Sequence, residues 1–150
     1  IQDADLEYDP NDYYKLIDIF DKQKVNVVYG SRILNKKYFD FKKGIRKNYR
    51  VFGNLILTFL SNIINNQNLT DAHTCYKMFK KELFLKLDIQ ENDFAFCPEV
   101  NTKISLLNEK ILEVPINYQG REVEEGKKIS FYDAFVALKV IIKYKFFFKF

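Results

Sequence analysis

At 150 residues, 47% of them hydrophobic and 17% aromatic, the chain has enough apolar material for one packed domain, which excludes a disordered segment. The formal charge of +4 is modest, and no run reaches the roughly 18 uncharged apolar residues of a membrane-spanning helix. Cys75 and Cys97 show neither C-x-x-C spacing nor the density of a disulfide scaffold, so structural thiols in a reducing compartment are expected; His73, the single histidine, reads as a turn or core residue rather than a zinc ligand.

The chain opens on Ile1-Gln2 and the acidic run Asp3-Ala4-Asp5-Leu6-Glu7. Asp9-Pro10 then has the pattern of an N-cap followed by the first helical position, which places the acids at a strand-to-helix turn. Clustered carboxylates suit a hard cation such as Mg²⁺ or Mn²⁺, which keeps most of its waters and accepts further oxygens from a diphosphate. From Pro10 to Lys22, Leu16, Ile17, Ile19 and Phe20 recur at helical spacing, and Val25 to Tyr29 is a short β-branched run that ends at Gly30-Ser31-Arg32. A crossover helix between two strands makes them parallel, and ligands of open parallel sheets sit beyond the carboxyl ends of the strands. The acids and Gly30-Ser31-Arg32 are therefore expected to face one crevice.

Ile33 to Lys43 reads as a loop, and Arg46 to Ile64 as a long helix whose middle, Leu55 to Leu60, is nearly all apolar, hence buried or laid against a membrane. Asn65 to Asn68 breaks it. Thr74 to Phe79 is expected to be extended, Lys81 to Leu87 a short helix, and Pro98-Glu99 the start of another with Val100, Ile104 and Leu107 on one face. Ile111 to Tyr118 alternates as a strand, Gln119 to Lys128 is a charged loop, and a final amphipathic helix runs from Ser130 with Phe131, Phe135, Leu138 and Ile142 on its apolar side. This alternation predicts an α/β sandwich with a mainly parallel sheet over residues 1–150. Two basic clusters stand out, Lys36 to Arg50 and Lys139 to Lys149, the second interleaved with Tyr144, Phe146, Phe147, Phe148 and Phe150. Such clusters suit phosphates on lipids, nucleotides or nucleic acid, and equally a solvated helix face.

Taken in order, Gln2-Asp3-Ala4-Asp5, Gly30-Ser31-Arg32, Gly53-Asn54, Leu69-Thr70-Asp71 with Thr74 to Lys77, Phe96-x-Pro98-Glu99, Glu113-Val114-Pro115 with Tyr118 and Arg121, and Glu125 to Ile129 resemble the polyprenyl-phosphate glycosyltransferases. These are dolichyl-phosphate mannose or glucose synthase-like members of the inverting family 2 with the GT-A (Rossmann-like) α/β/α fold. The resemblance implies that the chain is the C-terminal two-thirds of the catalytic domain, because the Pro-x-Tyr-Asn-Glu and Asp-Asp-Gly-Ser segments that hold the nucleotide would lie upstream. It implies that Asp3 and Asp5 hold a metal and the donor diphosphate, with Glu7 at a third ligand position where many relatives have Gln. Arg32 would meet the acceptor phosphate, with Arg50, or less readily Arg46, as its partner from the next helix. Arg121, Lys127 and Lys128 match the family's basic loop, with a spacer longer by about one residue. The implied partners are a nucleotide-sugar donor of GDP-mannose or UDP-glucose type, a polyprenyl-phosphate acceptor and the cytoplasmic face of a membrane, with no nucleic acid.

The chemistry agrees with that cation set. A phosphate monoester is already anionic near neutral pH and needs cations to aim it, which guanidinium forks do well, whereas a hydroxyl acceptor needs a carboxylate base. Glu99 stands where related enzymes keep that base and is given a positioning role, its ordinary alternative being a first-turn Glu favoured by the helix dipole. Leu55 to Ile64 and Lys139 to Phe150 are candidate interfacial segments. Two competing readings are a glycosyltransferase acting on a hydroxyl of a surface glycan, with Glu99 as its base, and a non-enzymatic basic module that binds anionic membranes or nucleic acid.

Overall fold

The computed structural model describes residues 7–35, 44–119 and 131–148, without the side chains of residues 44–50 and Phe131. Asp9 has extended backbone and its side chain accepts a hydrogen bond from the Asn11 N–H, so it caps a 3-10 turn, Pro10–Asp12, with Pro10 at its first position. That turn leads into α1 (Tyr13–Gln23), which ends where Lys24 takes a left-handed conformation at φ 49°. The N-cap expectation and the helix it starts are both present.

Three strands follow, separated by helices: β1 (Val27–Ser31), α2 (Gly44–Asn65), β2 (Lys77–Phe79), α3 (Lys81–Lys86), α4 (Phe96–Leu106), β3 (Ile111–Pro115) and α5 (Phe131–Phe147). β1 is central, with β2 on one side and β3 on the other. β3 pairs with it in parallel, Val28 opposite Leu112 and Ser31 opposite Pro115. β2 pairs antiparallel, Val28 opposite Met78. Among the described residues the sheet is thus mixed rather than mainly parallel, for a topological reason. After α2 the chain crosses the carboxyl edge of β1, where Thr70 meets Ser31, so β2 enters the sheet at that edge and must run back.

Alternation along β1 divides the core into two layers. Val27 and Tyr29 join Leu69, Ala72, Leu83, Leu87, Val100 and Ile104 on the α3 and α4 side. Val28 faces the α1 side with Leu16, Tyr8, Tyr76, Val114 and Ile116. Behind α4 lie α2 and α5, each packed on α4 and on the other. The predicted helix at Pro98 begins earlier, at Phe96, since Pro98 in the first turn has no N–H to lose from the helix ladder. The predicted strand over 111–118 stops at Pro115, with Tyr118 returning as an isolated bridge to Tyr8.

β1 also extends past the expected strand end to take in Gly30 and Ser31. Gly30 is there because of a close approach: a Cβ on it would lie 2.7 Å from Ile116 Cγ2 and 3.1 Å from Tyr76 Cβ. Gly30→Ala is therefore expected to lower stability by about 1–3 kcal/mol through overpacking, read as a lower denaturant midpoint with unchanged slope. An unchanged midpoint would show that Ile116 yields without cost.

Candidate active site

The carboxyl end of β1 delivers Ser31 and Arg32 to the edge of the sheet, and four other segments converge there. Arg32 Nε and Nη2 donate to Asp71 Oδ2 and Oδ1 at 2.7 and 2.8 Å, a two-pronged fork, and the Arg32 backbone N–H adds a third bond to Oδ2 at 3.1 Å. Asn54, from α2, donates its amide to Asp71 Oδ1 at 3.0 Å. The segment that carries Asp71 is fixed from β3, where Glu113 Oε2 accepts from Thr70 N–H at 2.7 Å and Oε1 from Asp71 N–H at 3.0 Å. Ser31 and Thr70 share a hydroxyl–hydroxyl bond of 2.6 Å. On the other side, the Arg32 guanidinium carbon lies 5.1 Å from the centre of the Tyr118 ring, whose hydroxyl donates to Glu7 Oε2 at 2.7 Å.

Asp71 is wholly buried and the Arg32 side chain only 12% exposed. Burial would push the Asp71 carboxyl up, but the adjacent Arg32 charge and the bonds from Arg32 and Asn54 outweigh it and lower it to about 2. Burial, followed by the charge of Lys77, lowers His73 to about 4, so its imidazole is neutral at pH 7. Burial raises Glu113 above the ordinary carboxylate range, against the opposing pull of its two N–H donors. Among the described residues the edge thus holds a cation whose charge is locally matched, with carboxylates on both sides.

Among the residues expected to form the site, Arg32 and Glu7 meet here through Tyr118. Asp3, Asp5, Arg121, Lys127 and Lys128 lie outside the described residues, and Arg50 is on α2 with its side chain outside the description. Glu99 belongs to a different cluster. It is fully buried in the first turn of α4, accepts from the Gln90 and Glu91 N–H groups, and pairs with Lys103 Nζ at 2.7 Å. Lys103 Nζ in turn donates to the Asp88 carbonyl and sits over the rings of Tyr144 and Phe148, which ties α4 to α5. No cluster of three His, Cys, Asp or Glu side chains suited to a metal occurs among the described residues. Asp71, Asn54 and Glu113 were missed as site residues, although each lies in a motif quoted above; their acid and amide side chains were legible, but not the pairing of Asp71 with Arg32 or the bonds by which Asn54 and Glu113 hold Asp71. Cys97 is a free thiol whose Sγ lies 3.8 Å from the Thr74 carbonyl.

The β1 end of this edge, with Glu7, Arg32, Asn54 and Asp71, lies within a sequence match to Glycosyl transferase family 2 over residues 1–88, while Glu113 and Tyr118 lie beyond it. The chain belongs to that family. It is also 25% identical over 122 residues to the Low-salt glycan biosynthesis hexosyltransferase Agl6 of Haloferax volcanii, covering 81% of this chain and 29% of the relative. The chain therefore spans under a third of the length of that relative. No solved structure matches it significantly. The mixed α/β architecture agrees with a piece of a family 2 GT-A domain.

Two acid windows follow from the geometry. A base whose folded-state pKa is depressed loses its contribution as pH falls from the unfolded value to the folded one, so His73 costs stability between 6.5 and about 4. A depressed carboxyl behaves likewise, so the Asp71 contribution present above 3.8 is lost towards about 2. Asp71→Asn is expected to remove the second window and, by leaving Arg32 without its counter-charge, to cost about 3–5 kcal/mol at pH 7. Chemical denaturation at pH 7, 5 and 3 checks this; a variant as stable as the parent at pH 7 would contradict the fork.

Proposed function

We propose that the protein transfers a hexose from a nucleotide-sugar to a polyprenyl phosphate, with inversion, at a membrane surface. One observation carries this reading: α2, the helix that holds the site through Asn54, wears its apolar side outward. Its inward side is polar. Thr58 accepts from Ala72 N–H, Asn62 bonds both backbone groups of Leu69, and Asn65 donates to Ser61 and Thr102. Outward stand Phe52, Ile56, Phe59 and Ile63, which are 66, 47, 63 and 62% exposed along one stripe. Phe135, Ile142 and Phe146 of the adjacent α5 are exposed as well. Apolar faces of this size mark an interaction surface, and beside a phosphate-directed site a bilayer that carries the acceptor fits it. No helix among the described residues is long and apolar enough to cross a membrane.

In the transfer, a phosphate oxygen of the acceptor forms the new bond to the anomeric carbon while the bond from that carbon to the donor diphosphate breaks, and the nucleoside diphosphate leaves. A dianionic phosphate has no proton to give up, so no side chain need act as base. This accords with the Glu99 carboxylate being engaged by two N–H groups and Lys103. Because Asp71 matches its charge, Arg32 contributes direction more than net attraction; five N–H groups allow a guanidinium to serve more than one anion. Net positive charge for the phosphate is assigned to Arg50, Arg121, Lys127 and Lys128. Asp3, Asp5 and Glu7 are the oxygen donors proposed for Mg²⁺ or Mn²⁺, and the Glu7 carboxylate, held by the Tyr118 hydroxyl at this edge, suits a hard cation. When bound, such an ion neutralises charge on the leaving diphosphate.

The test uses the full-length protein with polyprenyl phosphate in detergent and in anionic vesicles. Arg32→Ala should raise the acceptor KM roughly ten- to a hundredfold in both settings, the value of a lost charge-assisted contact, and leave the donor KM unchanged. Phe59→Asp should raise the acceptor KM only in vesicles. A rise in donor KM alone for Arg32→Ala, or no vesicle-specific effect of Phe59→Asp, would overturn the assignment.

A further inference from the structure

The 66–76 segment that carries Asp71 belongs to no helix or strand, yet its carboxylate must stand squarely opposite the Arg32 fork. Side chains from several elements fix that segment: Asn101 from α4 bonds the Ala72 carbonyl, Lys77 the Ala72 and Thr74 carbonyls, Asn62 and Thr58 from α2 bond Leu69 and Ala72, and Glu113 from β3 bonds Thr70 and Asp71. Only the last holds the N–H of Asp71 itself. Consecutive N–H groups that converge on one carboxylate fix the peptide plane between Thr70 and Asp71, and with it the direction in which the Asp71 side chain leaves the backbone. β3 is in register with β1, Glu113 opposite Tyr29 and Pro115 opposite Ser31, so the support for Arg32 is built on the strand beside it.

We propose that Glu113 is a positioning residue for the acceptor site, setting the orientation of the Arg32 guanidinium through the Thr70 and Asp71 N–H groups and the Asp71 carboxylate. The inference rests on the reading of Arg32 as an acceptor-phosphate residue. A half-buried carboxylate is costly to keep charged, and a neutral side chain of the same shape would fill the space. What an ionised carboxylate adds is two acceptor oxygens for two donors. In Glu113→Gln one of those oxygens becomes an NH₂ group facing an N–H, so one bond is lost and the peptide plane is released.

Acceptor and donor KM are measured on the full-length protein for Glu113→Gln, Arg32→Ala and the double variant, with polyprenyl phosphate as the probe. Glu113→Gln is expected to raise the acceptor KM about tenfold, the value of one hydrogen bond to a charged group, with donor KM unchanged. The double variant should be no worse than Arg32→Ala alone, because both changes act through one guanidinium. If Arg32→Ala raises the acceptor KM and Glu113→Gln does not, or if the two effects multiply, the positioning role is wrong while the acceptor reading stands. If Arg32→Ala leaves the acceptor KM unchanged, both fall. Should Glu113→Gln fold poorly, hydrogen exchange in the parent protein decides: slow exchange at the Thr70 and Asp71 amides supports the clamp, and exchange at the rate of open loop amides overturns it.

Discussion

An arginine only 12% exposed, at the end of a central strand, cannot stand without a counter-charge, and the Asp71 carboxylate that supplies it governs the architecture around the edge. To bring Asp71 opposite Arg32, the chain leaving α2 must cross the carboxyl end of β1. That crossing makes β2 antiparallel. It also draws polar side chains onto the inner face of α2, where Thr58 and Asn62 bond backbone groups of the irregular segment below and Asn54 bonds the Asp71 carboxylate. Phe52, Ile56, Phe59 and Ile63 are then left for the outer face. One ion pair thus accounts for a sheet direction, a helix polarity and an exposed apolar stripe.

A second charged cluster does comparable work away from that edge. Glu99 and Lys103 form a pair with neither side chain exposed, and the pair is stabilised by additional donors and acceptors rather than by charge alone: two loop N–H groups on the carboxylate, a carbonyl and two aromatic rings around the ammonium. Through Tyr144 and Phe148 it binds α5 to α4, and Lys143 with Tyr144 reaches Glu91 in the same loop. The placement of α5 beside α2, and so the breadth of the exposed apolar surface, depends on this joint.

How far the sequence disclosed all this depends on the range of the contacts. The Asp9-Pro10 cap and the helical spacing of Leu16, Ile19 and Phe20 are local signals and were legible. The β-branched run ends at Tyr29 in the sequence; what keeps Gly30 and Ser31 in β1 is Ile116, more than eighty positions away and pressed against the missing side chain of Gly30. Which side of α2 faces inward is set by partners such as Thr102 and Leu69 that periodicity does not see. Resemblance located Arg32 and Glu113 within motifs, but their connection through Asp71 is a tertiary fact. Glu99 offered a readable hint in Lys103 four residues on, the spacing of a helical ion pair.

The account stands on the acceptor being a phosphate anion rather than a hydroxyl, because the edge presents an oriented guanidinium, while the acid that would act as base is enclosed with a lysine. The most direct measurement is transfer by the full-length protein to a polyprenyl phosphate and to the polyprenol of the same chain length, each supplied in the same vesicles with the same nucleotide-sugar. The account predicts product from the phosphate and none above background from the alcohol. Equal transfer to the alcohol, or to a glycan hydroxyl with the phosphate unused, would contradict it.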